Sequence, residues 1–323
     1  MDGKNLEFIF FTVFNIASFF AGYVTRRKNW LNADVSRRIH FHTVAWIWSA
    51  AVLLSLWRFP FQAQDYWLLA IIPLMVAVPA FAVIPICQHL SMPRSRIGVM
   101  ACACGMGNMG FTLGAYLCYV MLSPPANALA YGIAAVSMMQ ISSTIMLYPI
   151  ARYFGRHLED DQPLWIMMIK SFDLRAMPLY AAVIGLLLAR FGPPAPLVLW
   201  DYNLMDIIFY LGAFGAIYGI GMRVHVSDWK RYLPEHILLA AMKFLFIPVL
   251  AWGMLQAINT TALKTDDLFN SVIIIESFMP TALMTVMMAN MFHLDTRLAS
   301  SAWLINTVLF LVIPLPFILW WLS

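Results

Sequence analysis

Charge is what this sequence has least of. Only 11% of its 323 residues are Asp, Glu, Lys or Arg, against 62% hydrophobic. Soluble domains are about a quarter charged, so the scarcity excludes an ordinary soluble fold. The net charge of +4 is small and its basic residues are scattered over short loops, which excludes a nucleic-acid partner. Cysteine is equally sparse. All four, Cys87, Cys102, Cys104 and Cys118, fall inside apolar runs. They read as small packing residues, and the Cys102/Cys104 pair, pointing to different sides of a helix, is a weak metal pattern. No apolar run offers a nucleophile–base pair or a metal cluster, so an enzyme and a cofactor are not expected. Residues 1–5 lack the basic start of a cleaved signal, and the basic cluster follows the first apolar run instead. That run is expected to stay as an anchor.

Long apolar runs are what the chain has in abundance. Hydropathy divides it into ten predicted spans, at 6–24, 39–56, 66–87, 97–121, 128–151, 176–189, 205–222, 237–257, 269–291 and 299–322. Of the 20 Lys and Arg residues, fifteen fall in the loops after spans one, three, five, seven and nine. Lys4, Arg58, Arg190 and Lys264 lie on the other side, and Lys243 lies within span eight. The positive-inside rule then places both termini outside the cytoplasm. Trp30, Trp57, Trp67, Trp320 and Trp321 stand at span ends, as interfacial belts do. Asn259-Thr260-Thr261 reads as a glycosylation sequon on the outer side.

Two spans are interrupted. Span four carries Gly98, Gly105, Gly107, Gly110 and Gly114 around the amide of Asn108, without a charge. Such a run is either a surface for close helix packing by small residues or a place where the backbone opens. Open backbone at membrane depth is tolerated only when buried in protein or lining a wet cavity. Span nine combines a central Glu276 with a break at Pro280. Interrupted spans at corresponding positions of two halves are the best sequence pointer to a transporter site. The polar segment 154–175, with Glu159-Asp160-Asp161, divides the chain into halves of five spans, residues 1–153 and 176–323. An odd number of spans per half makes the second half inverted by parity alone. The expected fold is therefore all-α, ten spans in a 5+5 inverted repeat, with spans four and nine broken and crossing.

The chemistry follows from the breaks. Each contributes a half-helix N-terminus with about half a positive charge and unpaired N–H groups, and two converging ends prefer an anion. Gly107, Asn108, Gly110, Thr112, Ser277, Pro280 and Thr281 are the candidate binding residues. For Thr112, Ser277 and Thr281 the ordinary alternative is back-bonding to the residue's own helix. A carboxyl in the bilayer is a functional hypothesis by default, so Glu276 reads as a proton carrier, a substrate contact or a partner of Lys243. Lys243 either snorkels its head to the membrane surface, pairs with Glu276 or adds positive charge to the site. Asn15, Gln140 and Asn306 either line a path or bridge helices. His40 and His42 read as interfacial.

These residues carry a resemblance. Residues 105–117, GMGNMGFTLGAYL, look like the Asn-x-Gly-Phe stretch of the fourth helix in the auxin efflux carrier family. Residues 279–300, MPTALMTVMMANMFHLDTRLAS, are similar to its Met-Pro and Tyr-Gly-Leu-Asp run, and Lys243 with Pro248 looks like its eighth helix. That family includes plant auxin exporters and bacterial carriers for malate and malonate. The resemblance implies a scaffold of spans one, two, six and seven, a moving core of the other six, and a homodimer. It also implies a small organic anion as substrate and the plasma or inner cell membrane as location. It places Asn108, Gly110 and Pro280 at the crossing. A proton is the expected coupling ion. A sodium-coupled carrier of the bile-acid type, or a membrane sensor that kept the carrier fold, are the alternative readings.

Overall fold

The computed structural model describes residues 3–59, 62–110, 113–155, 174–196, 204–222 and 230–322. Thr112 and residues 156–173, with Glu159-Asp160-Asp161, lie outside these. Among the described residues the chain is all-helical. Twelve helices follow in order: α1 Gly3–Arg27, α2 Asp34–Arg58, α3 Ala63–His89, α4 Arg94–Gly105, α5 Gly114–Met121, α6 Asn127–Gly155, α7 Met177–Phe191, α8 Leu204–Gly221, α9 Lys230–Asn259, α10 Asp267–Ser277, α11 Leu283–Met291 and α12 Thr296–Trp321. Five of them, α2, α3, α6, α9 and α12, are long and apolar enough to cross a membrane. Their outer faces suit acyl chains: on α9, Leu245, Val249 and Trp252 are all more than half exposed, a stripe that water would punish.

Local signals set the helix ends. The Asn32 side chain accepts from Val35 N–H ahead of α2, Asp266 from Phe269 N–H ahead of α10, and Asp295 from Arg297 and Leu298 N–H ahead of α12. Each satisfies N–H groups that a helix start leaves unpaired. Across predicted span four the helix stops at Gly105 and resumes at Gly114, and across predicted span nine it stops at Ser277 and resumes at Leu283. Pro280 disfavours helix at the residue before it and lacks an N–H to continue one. Both runs are thus interrupted, as the opening reading of the glycine run expects, while Gly105 itself also packs closely on the Val76 carbonyl. One π turn interrupts each of α2, α6 and α9, at Thr43–Trp48, Ser143–Leu147 and Met242–Phe246. Such turns re-aim the side chains around them and concentrate at functional sites.

Packing sorts the helices into two groups. In one, α1 lies on α8, α8 on α2, and α2 on α7. Where α1 meets α8 the backbones touch: a methyl group at Gly22 would overlap the Tyr218 carbonyl, and one at Gly221 that of Phe19. In the other group α3 packs on α4 and α6, α5 on α6, α10 on α5, α6 and α9, and α12 on α9 and α11. Arg96 of α4 anchors one end of this group. It bridges Glu235 of α9 at 3.0 Å and Asp295, the cap of α12, at 3.4 Å, with its guanidinium over the Tyr232 ring. The groups meet along a seam where α11 touches α2 and α8, and α6 touches α2 and α7.

Candidate binding site at the helix crossing

The two interruptions meet each other. Gly107 faces Thr281 in an antiparallel bridge. The Asn108 N–H donates to the Pro280 carbonyl at 2.7 Å, and the Ala282 N–H to the Met106 carbonyl at 3.1 Å. Backbone groups that a continuous helix would have paired are thus paired across the crossing, which is what opened backbone requires away from water. Two side chains from other helices hold the crossing in place. Asn306 of α12 accepts from Thr281 N–H at 2.8 Å, and Lys243, in the π turn of α9, donates to the Met106 carbonyl at 2.7 Å.

A cavity opens beside the crossing, on the seam between the two helix groups. Gly107, Asn108 and Gly110 line it, with Ala282, Leu283 and Met284 at the start of α11. Trp48 and Val52 of α2, Val136 and Gln140 of α6, Phe209 of α8 and Met287 of α11 supply much of the rest. Its wall is mostly apolar and none of its lining residues is charged. Among the described residues no side chain caps α11 at Ala282. The positive end of that half-helix therefore faces the cavity, a disposition that favours an anion or the oxygen end of a polar molecule.

The two half-helix N-termini are not equivalent, which corrects the expectation of two open ends. At α5 the N–H groups of Leu113, Gly114 and Ala115 donate to the carbonyls of Gly110, Asn108 and Met109, each at 3.0 Å. The Glu276 carboxyl packs on Gly114, the first residue of α5, where a methyl group would collide with it, and lies close to Gly132 of α6, where a methyl group would collide with Ala115. One N-terminus thus has a carboxyl of the protein itself beside it. Glu276 is fully buried, and among the described residues neither of its oxygens has a hydrogen-bond partner. It is not among the residues lining the cavity. Its niche exists because Gly114 and Gly132 carry no side chain.

Other candidates separate in the same way. Gly107, Asn108 and Gly110 line the cavity, while Pro280 and Thr281 belong to the crossing. Thr281 Oγ1 donates to the Ala103 carbonyl at 3.3 Å, and Ser277 back-bonds to the Ile274 carbonyl at 2.6 Å. Lys243 is 2% exposed, so it does not reach toward the membrane surface. Its ammonium holds Met106 rather than Glu276. Asn306 pins the crossing instead of lining a path. His40 is fully buried between helices rather than interfacial. Sequence reasoning missed Trp48, Phe209 and Met287 as cavity residues, because an aromatic or Met on an apolar helix carries no mark of which face meets a void. It also missed Gly132, whose role appears only when α10 is laid against α6.

No protein-family model matches this chain, and no curated protein does.

Proposed function

We propose that this chain is a secondary carrier for a small organic anion, a mono- or dicarboxylate such as an auxin-like acid, malate or malonate, working by alternating access. In this reading the ten spans form an inverted repeat in the plasma or inner cell membrane, with both termini outside the cytoplasm. The group α1, α2, α7 and α8 is the scaffold and the remaining helices are the moving core. One observation carries the reading. Two broken helices are hydrogen-bonded to each other at Asn108–Pro280 and Met106–Ala282 beside a cavity on the seam between the helix groups. The uncapped start of α11 and the Asn108 amide are the groups that would meet a carboxylate, and the apolar wall would take the body of the anion. Lys243, one residue from the cavity through the Met106 carbonyl, adds positive charge behind the site.

Glu276 is the proposed coupling residue, with H+ as the ion. Its carboxyl, without a hydrogen-bond partner among the described residues, touches the first residue of α5, so taking up or losing a proton would change the charge at that half-helix end. Uptake of labelled carboxylates into proteoliposomes tests the carrier reading. Flux of at least one anion is expected, lost in Asn108→Ala and independent of Na+. A panel of mono- and dicarboxylates that neither crosses the membrane nor raises the melting temperature would overturn it. For Glu276→Gln, a pH profile of flux unchanged from wild type would remove the residue as proton carrier.

A further inference from the structure

The seam is closed at one point by a buried polar cluster next to the cavity, with which it shares Ala216. Ser36 and His40 of α2 meet Ala216 and Gly219 of α8 and Asn290 of α11. His40 Nε2 stands 3.2 Å from the Ala216 carbonyl, and His40 Nδ1 stands 3.2 Å from Asn290 Nδ2. Asn290 Nδ2 also donates to Ser36 Oγ at 3.1 Å, and Ser36 Oγ donates to the Gly219 carbonyl at 2.8 Å. Ser36 and His40 are fully buried and Asn290 is 4% exposed. Gly219 leaves the room: any side chain there would overlap the imidazole.

The network dictates the proton positions. A carbonyl only accepts, so Nε2 carries the hydrogen and Nδ1 is an acceptor. Asn290 then uses one amide hydrogen on His40 and the other on Ser36. A second proton on His40 would have to sit on Nδ1, pointing at a group that is already a donor. Turning the Asn290 amide would give that proton an acceptor. It would also put Oδ1 against Ser36 Oγ, whose hydrogen is committed to Gly219. Every arrangement of the doubly protonated ring loses at least one bond of the cluster. Among the residues whose side chains the structure describes, the other charged and titratable groups on these elements are Asp34, Arg37, Arg38, His42 and Arg58 on α2, Tyr210 and Tyr218 on α8 and His293 after α11. Arg37 and His293 are themselves 3.4 Å apart.

The geometry points to an acid-released latch: the Ser36–His40–Asn290 cluster clamps α11 to α2 and α8 while His40 is neutral, and protonation of His40 lets α11 go. That α11 moves in transport rests on the carrier reading, but the response of the contact to acid does not. Hydrogen exchange of the purified protein in nanodiscs separates the two. Amides of residues 36–43 and 288–294 are compared with those of His40→Gln, which keeps a donor near the Nε2 position and does not titrate. At about pH 8 the two proteins exchange alike. Near pH 5 the wild type exchanges about three- to tenfold faster than the variant, the loss of about one hydrogen bond. Asn290→Asp, which offers Nδ1–H an acceptor, reverses the sign and tightens the contact in acid. A wild-type to His40→Gln ratio that does not change with pH, or an Asn290→Asp response of wild-type sign, overturns the latch. In a second arm, Ser36→Cys with Asn290→Cys is oxidised to a disulfide. Arrested carboxylate flux that returns on reduction supports gating. Unchanged flux through the cross-linked protein overturns gating, and no flux even when reduced, with the exchange result intact, counts against the carrier reading instead.

Discussion

Gly114→Ala puts the least familiar feature of the crossing to the test, the contact between Glu276 and the first residue of α5. A β-carbon at position 114 would overlap Glu276 Oε2, and it would stand 2.8 Å from Glu276 Cδ and 2.8 Å from Met109 Cα. The first two neighbours belong to a side chain that can swing. Met109 Cα is backbone and cannot move without disturbing the crossing. Overpacking of this kind costs about 1–3 kcal/mol, offset by up to about 1 kcal/mol from replacing a helical glycine with alanine. A net loss of about 1–2 kcal/mol is expected. In a Glu276→Ala background the carboxyl half of the collision is gone and only the Met109 share remains. The double-mutant cycle should then show a coupling of about 1 kcal/mol in the direction of rescue. Equilibrium unfolding in mild detergent, followed by fluorescence of the 12 tryptophans, measures all four proteins. Gly114→Ala as stable as wild type, or a cycle that is additive within about 0.3 kcal/mol, would refute the packing of Glu276 on α5.

Three further outcomes follow from named contacts. Asn306→Ala leaves the Thr281 N–H buried without its acceptor and should cost about 1–3 kcal/mol, while Asn306→Asp, which keeps an acceptor oxygen, should cost less in the same unfolding assay. Lys243→Met removes the donor to Met106 while keeping the length of the side chain; carboxylate flux should fall more steeply than stability, and equal losses in both would assign Lys243 to structure alone. Arg96→Met strips two carboxylates of their cation, and Glu235 is almost fully buried. Because the Arg96 side chain is 18% exposed, the loss should be about 2–3 kcal/mol, below that of a fully buried pair. Its recovery in Arg96→Met with Glu235→Gln would confirm that the stranded carboxylate is the cause.

How far the chain could be read without its fold differs from residue to residue. The break in span nine was legible because Pro280 cannot donate and restricts the residue before it, a property of two adjacent residues. The break in span four was legible to the extent that Gly105, Gly107 and Gly110 weaken a helix. Whether they served packing or opening depended on a partner that could pair the opened backbone, and that partner, Pro280 for Asn108, is 172 residues away. The extent of the long helices was legible because length and apolarity are local sums. The destinations of Glu276, Lys243 and His40 were not, since each could turn toward several neighbours at similar local cost.

By itself, then, the sequence settled the helical, apolar character of the chain and the stop at Pro280, because these depend on composition and on what Pro does to its own backbone. Only the tertiary structure decided that one half-helix end has Glu276 packed beside it while the other faces a cavity, that Lys243 and Asn306 hold the crossing, and that His40 is locked between three helices. The physical reason is the same in each case: a buried polar group takes the partner that packing brings within hydrogen-bond distance, and that distance does not exist until the helices are assembled.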